Sequence, residues 1–160
     1  METLVAVHVV ISLIAILSGL VVLFGMLTGS RLDSLTALFL ITTVLTSVTG
    51  FLFPFHGFIP AFVLGIISLL ILAIAIFARY LKRLAGSWRW IYVWTALLAL
   101  YFNVFVLVTQ LFMKVPSLKA LAPSQSEPPF LAAQLVVLAF FIVMIVLATI
   151  KFRPVQLGNV

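Results

Sequence analysis

The 160-residue chain contains no cysteine, so disulfides, thiolate catalysis and cysteine-held metals are excluded. Acidic residues are almost absent: Glu2, Asp33 and Glu127 are the only three. Proton pumps and relays carry acids within their spans. Here all three acids fall at the ends of apolar runs, which argues against a pump. Charge of either sign is scarce, at 8% of residues against about 25% in soluble domains.

Apolar residues make up 66% of the chain. A soluble core of this size cannot hide so much apolar surface, so lipid is the solvent. In lipid the backbone must close its own hydrogen bonds, as helices or as a barrel. Barrel strands alternate apolar and polar positions, whereas these runs are continuous and about 20 residues long, as helical spans require. The expected fold is an all-α polytopic membrane bundle forming one transmembrane domain over 1–160. Its five spans lie at about 4–27, 35–54, 61–80, 91–113 and 130–150. The first run lacks a basic leader and is too long for a signal-peptide core, so it is read as a retained span.

Two breaks organise the chain. The turn TSVTGFLFPFHGFIPA, at 46–61, has no charge, whereas RYLKRLAGSWRW, at 79–90, has four bases. Tyr80, Trp88, Trp90, Tyr92 and Trp94 flank the basic turn as an aromatic belt. Arg31, Arg79, Lys82, Arg83, Arg89, Lys151 and Arg153 fall at one end of the bundle, against Lys114 and Lys119 at the other. The positive-inside rule makes the first end cytoplasmic. The N-terminus is then periplasmic and the C-terminus cytoplasmic. The net charge of +6 suits anionic headgroups, and no basic stripe suits nucleic acid. The expected partner is the lipid bilayer, with a homo-oligomer or a larger membrane complex left open.

Small and polar residues gather on helix faces. His8, Ser12, Ala15 and Gly19 share a stripe in span 1. Ala61, Gly65, Ser68 and Ala75 mark span 3, and Ala96, Ala99, Asn103 and Gln110 mark span 4. Small residues let membrane helices approach closely, so these are packed faces. Span 2 is rich in threonine, whose hydroxyls can bond back to the preceding turn. At 1.5 Å rise per residue, His8 and Gln134 lie roughly 6 Å below the outer ends of their spans. The candidate ligand-binding residues are therefore His8, Asn103, Gln110 and Gln134, with His56 at the surface. His8 is expected close enough to Gln134 or Gln110 for a direct or water-mediated hydrogen bond.

Two histidines raise b-type haem, and the amides and imidazole raise quinone. No catalytic residue or metal site is assigned. Ser124 and Ser126 lie near Glu127 without a nucleophile motif, and Glu127 with Pro128 reads as the start of span 5. Leu118 and Leu121 predict a short helical turn resting on the membrane surface. A non-enzymatic role is expected, as a passive channel or transporter subunit with an outer-leaflet polar pocket. A redox or binding accessory is the alternative.

The stretches TALFLITTVLTSVTGFLFPF, ARYLKRLAGSWRWIYV and LAPSQSEPPF together resemble a group of small, uncharacterised bacterial inner-membrane proteins. The resemblance covers most of the chain from Leu35 to Phe130. It implies a bacterial inner-membrane setting and brings no activity, cofactor or site residue with it.

Overall fold

A computed structural model describes residues 1–54 and 59–153. His56 lies outside the described residues. Helix α1 spans Glu2–Leu27, α2 Asp33–Gly50 and α3 Ile59–Ile76, which continues into a π-helical turn, Phe77–Leu81. Helix α4 spans Trp88–Lys114, the short α5 Pro116–Leu121 and α6 Pro128–Lys151. Five of these segments are long and apolar enough to cross a membrane. At 26 residues, α1 is about 39 Å long, more than the roughly 30 Å hydrocarbon core. The chain is a multi-pass helical membrane protein.

Helices α1 to α4 follow one another around a ring, each packed on the next, and α4 closes against α1. Helix α6 packs outside this ring, on α4 and α1. Leu, Val, Ile and Phe side chains on the outer faces stay exposed, among them Leu17 and Phe24 of α1 and Leu135, Val136 and Ile142 of α6. Lipid satisfies such faces, so the outside of the bundle needs no polar coat.

The packed core sits in the half of the bundle that holds the basic turns. Leu23 and Met26 of α1 meet Phe39 and Leu40 of α2 there, with Leu72 and Ala75 of α3 and Val93, Ala96, Leu97 and Leu100 of α4. Close approach depends on Gly19, where an added Cβ would lie 2.6 Å from Leu100 Cδ1 and 2.9 Å from the Phe39 ring.

The π-helical turn carries Arg79 to the inside. Its wider ring closes through Lys82 N–H bonded to Phe77 O at 3.0 Å. Arg79 is almost fully buried. Its Nη2 donates to Arg31 O at 3.1 Å and to Asp33 Oδ1 at 2.6 Å, and its guanidinium lies 5.2 Å from the Tyr92 ring centroid. By its position in the sequence, Asp33 is a candidate cap for α2. Instead the N-cap is Leu32, which makes no side-chain cap bond, and Asp33 serves Arg79. Arg89 donates to Thr149 O and Phe152 O, satisfying carbonyls that the end of α6 leaves open.

At the opposite end, the short helix expected from Leu118 and Leu121 is α5, introduced by Pro116. Gln125 Nε2 donates to Thr109 O at 3.1 Å, which ties the following loop to α4. Glu127 is the N-cap residue of α6, and Pro128 follows it in the first turn. The Glu127 carboxylate accepts from Ser124 Oγ at 2.7 Å and from the backbone N–H groups of Ser124 and Ser126 at 3.1 Å.

Candidate functional site

In the half of the bundle away from the basic turns, the ring of four helices opens around a cavity of about 590 Å³. The stripes read in the sequence explain the change along the axis. On α1, Ala15 and Gly19 are buried in the packed half, while His8 and Ser12 line the cavity. On α3, Ala75 is in the core, while Ala61, Gly65 and Ser68 line the cavity. On α4, Ala96 and Ala99 are in the core, and Asn103 and Gln110 line the cavity. Each stripe thus faces inward throughout, as a packing surface in one half and a wall in the other.

His8 is held from two sides. Its Nδ1 lies 2.8 Å from Thr49 Oγ1, and its ring meets Phe53 edge-on at 5.1 Å. Ser12 Oγ donates back to His8 O at 2.6 Å, the usual membrane use of a helix hydroxyl. Asn103 Nδ2 reaches Thr43 Oγ1 across the ring at 3.4 Å, and Ser47 meets Ser68 at 3.4 Å. Gln110 and Lys114 line the cavity at the end of α4, and both are exposed.

The rest of the lining is apolar. Phe51, Phe53, Phe62 and Phe102 contribute aromatic wall. Val9, Leu13, Phe62, Val106 and Leu111 line the cavity and are also exposed at the helix surface. Apolar residues that are both lining and exposed make the wall continuous with the lipid-facing exterior. No carboxylate occurs among the described lining residues.

No known protein family, curated protein or solved structure matches this chain. The chemistry of the cavity is therefore carried by its geometry alone.

The cavity brings together three of the sequence candidates, His8, Asn103 and Gln110. Gln134 stands apart from them. It lies at the interface of α4 and α6, where Nε2 donates to Phe105 O at 3.1 Å and Thr109 Oγ1 at 3.2 Å. Its Oε1 is buried without a partner. Of the two expected partners of His8, Gln134 bonds instead to the neighbouring turn of α4, while Gln110 shares the cavity with His8, whose direct bond goes to Thr49 of α2. Among the described residues, no group of three His, Cys, Asp or Glu side chains could hold a metal.

Sequence reasoning does not single out Lys114 or Thr49 as part of this site. Lys114 reads as a span-end base, and Thr49 as one hydroxyl among many. Only the fold sets Lys114 at the cavity and Thr49 against His8.

Proposed function

We propose that this is a bacterial inner-membrane protein, N-terminus periplasmic, that holds one small amphiphile taken from the outer leaflet. The cavity carries the reading. At about 590 Å³ it falls within the roughly 300–1,000 Å³ range of small-molecule sites. Its apolar wall is continuous with the lipid face, and its polar groups sit on the inner stripes. An amphiphile matches both surfaces at once. The closely packed layer around Phe39, Leu72, Leu97 and Leu100 favours a blind pocket over a conduit. A carrier or transporter subunit fits that form better than a passive channel.

A quinone is the second reading, favoured by the four Phe rings beside the amides of Asn103 and Gln110. A b-type haem has one described axial candidate, His8, whose Nδ1 is already bonded.

Solvent extraction of the purified protein, followed by mass spectrometry, tests the proposal. The expected result is a retained amphiphile that Gly50→Leu loses. A Cβ at Gly50 would meet only His8 Cε1, at 3.8 Å, so a leucine there extends into open cavity space. Equal lipid content in both proteins overturns the pocket. A quinone absorbance, or a Soret band, in the purified protein selects the second reading or haem.

A further inference from the structure

The hydrogen bonds around His8 determine what kind of head group the cavity accepts. Thr49 has a single hydroxyl proton. Its Oγ1 lies 2.7 Å from Leu45 O and 3.2 Å from Thr46 O, so that proton is donated within α2. Towards His8, Thr49 can then only accept. Nδ1 therefore carries the N–H, and in the neutral ring Nε2 is a bare lone pair. Among the described residues Nε2 has no hydrogen-bond partner, and it is not one of the sealed, unpaired atoms. The ring thus offers the cavity an acceptor.

Lys114 supplies the second constraint. It is the one lysine or arginine among the described lining residues, and neither described ion pair involves it. It lines the same cavity as His8, so one ligand can meet both groups. An acceptor nitrogen and a cation lining one cavity suit a head that donates a proton and gains negative charge. An ester or a quinone, which only accepts, meets lone pair against lone pair at Nε2. An amine meets like charge at Lys114.

The shape suits one chain. From Lys114 at the mouth to Phe102 at the inner end, α4 runs about 18 Å along the cavity. Leu111, Leu107 and Val106 line that path, with Leu13 and Ile16 opposite on α1.

We propose that the cavity takes a single-chain amphiphile with an acidic O–H head, a long-chain carboxylic acid, its O–H directed to His8 Nε2 and its developing charge to Lys114. If the proton crosses, it leaves the carboxyl oxygen for Nε2, giving a carboxylate and an imidazolium with no other reactant. This inference rests on the amphiphile reading of the cavity and specifies its ligand class.

The test uses the full chain in phosphatidylcholine nanodiscs. The probes are palmitic acid, hexadecanol and methyl palmitate, each with a mid-chain diazirine for photolabelling. The acid should label cavity-wall peptides about tenfold more than the ester, the scale of a charge-assisted hydrogen bond, with the alcohol between. Lys114→Gln should bring the acid down to the alcohol. Gly50→Leu should remove all three, and Ala61→Phe, filling from the opposite wall, replaces it if that variant misfolds. Nitrogen NMR of the histidine rings should find Nε2 unprotonated in the wild type. Thr49→Val should mix the tautomers and raise ester labelling.

Equal labelling by the three probes, lost together in the filled variant, overturns the head-group inference and keeps the pocket. A wild-type His8 with its proton on Nε2 also overturns it. Absence of wall labelling by any probe, or labelling unchanged in the filled variant, overturns the pocket as well.

Discussion

Arg79 and Asp33 form an unequal pair. The Arg79 side chain is 1% exposed, whereas that of Asp33 is 68% exposed. Removing the acid leaves a buried cation without its counter-charge, and Arg79 Nη1 already lacks a partner. Removing the base leaves only an acid that water can solvate. Breaking a fully buried pair from one side costs about 3–5 kcal/mol, whereas an apolar replacement of similar volume is often neutral. The exposure of Asp33 discounts the first figure through solvent screening. Asp33→Asn should therefore destabilise by about 1–2 kcal/mol, and Arg79→Met by less. Denaturation in detergent micelles measures both, and the double variant should recover most of the Asp33→Asn loss. Equal losses in the two single variants would contradict the asymmetry. Gly19 is a second sensitive point. An added Cβ would press on the Leu100 methyl and the Phe39 ring, both fully buried, so the core has to shift. Overpacking costs about 1–3 kcal/mol, and Gly19→Ala should fall in that range by the same assay.

At the scale of elements, α5 and the loop after it behave as one capped unit. Leu121 of α5 is exposed, while Phe112, Ala122 and Phe130 form a small core beside it. Lys119 lies in an ordered helix, so protease cleavage there should be slow at neutral pH. Glu127→Ala removes three accepted hydrogen bonds and should speed that cleavage several-fold; an unchanged rate would show that the cap does not order the loop. The Glu127 carboxyl sits below its ordinary value of 4.5, chiefly because the Ser124 hydroxyl bonds its charged form, with backbone N–H groups adding to this. Desolvation, next in size after the Ser124 hydroxyl, acts in the opposite sense. A lowered folded value means the cap contributes above the ordinary range and is lost as pH falls through the folded value. Hydrogen exchange over 116–127, corrected for intrinsic rates, should therefore rise below pH 4.5 and stay level above it. In Glu127→Ala that acid-induced rise should vanish.

At the scale of the whole molecule, orientation is the proposal on which the leaflet depends. Seven bases at one end oppose two at the other. Arg79 and Arg89 are engaged in bonds to the fold, yet both remain in the basic end. A reporter active only in the periplasm should work when fused after Phe58 and stay silent after Ala85. The reverse pattern would move the cavity to the cytoplasmic leaflet and exchange the lipids it meets. Neither outcome changes its volume or lining, so orientation and pocket can be tested apart.

The count of spans and their approximate ends were legible because lipid makes helix formation a local matter. Each span must close its own backbone bonds, and hydropathy along the chain reports where that happens. The helix break after Gly50, and Glu127 with Pro128 at the start of α6, are local signals of the same kind. The inward faces were also legible, since small residues at Gly19, Gly65 and Ala96 mark packing wherever they occur. Which neighbour those faces meet was not. A stripe records that something approaches closely but carries no name for its partner, so the pattern offers His8 either Gln134 or Gln110 and misses Thr49, to which the fold turns it. Arg79 reads as a surface base, and only the π-helical turn brings it inside to Asp33 and Tyr92. The cavity is the clearest case. Its walls continue the stripes that pack the other half, and no single helix records where the ring of four parts. That separation belongs to pairs of helices, and tertiary structure alone decides it.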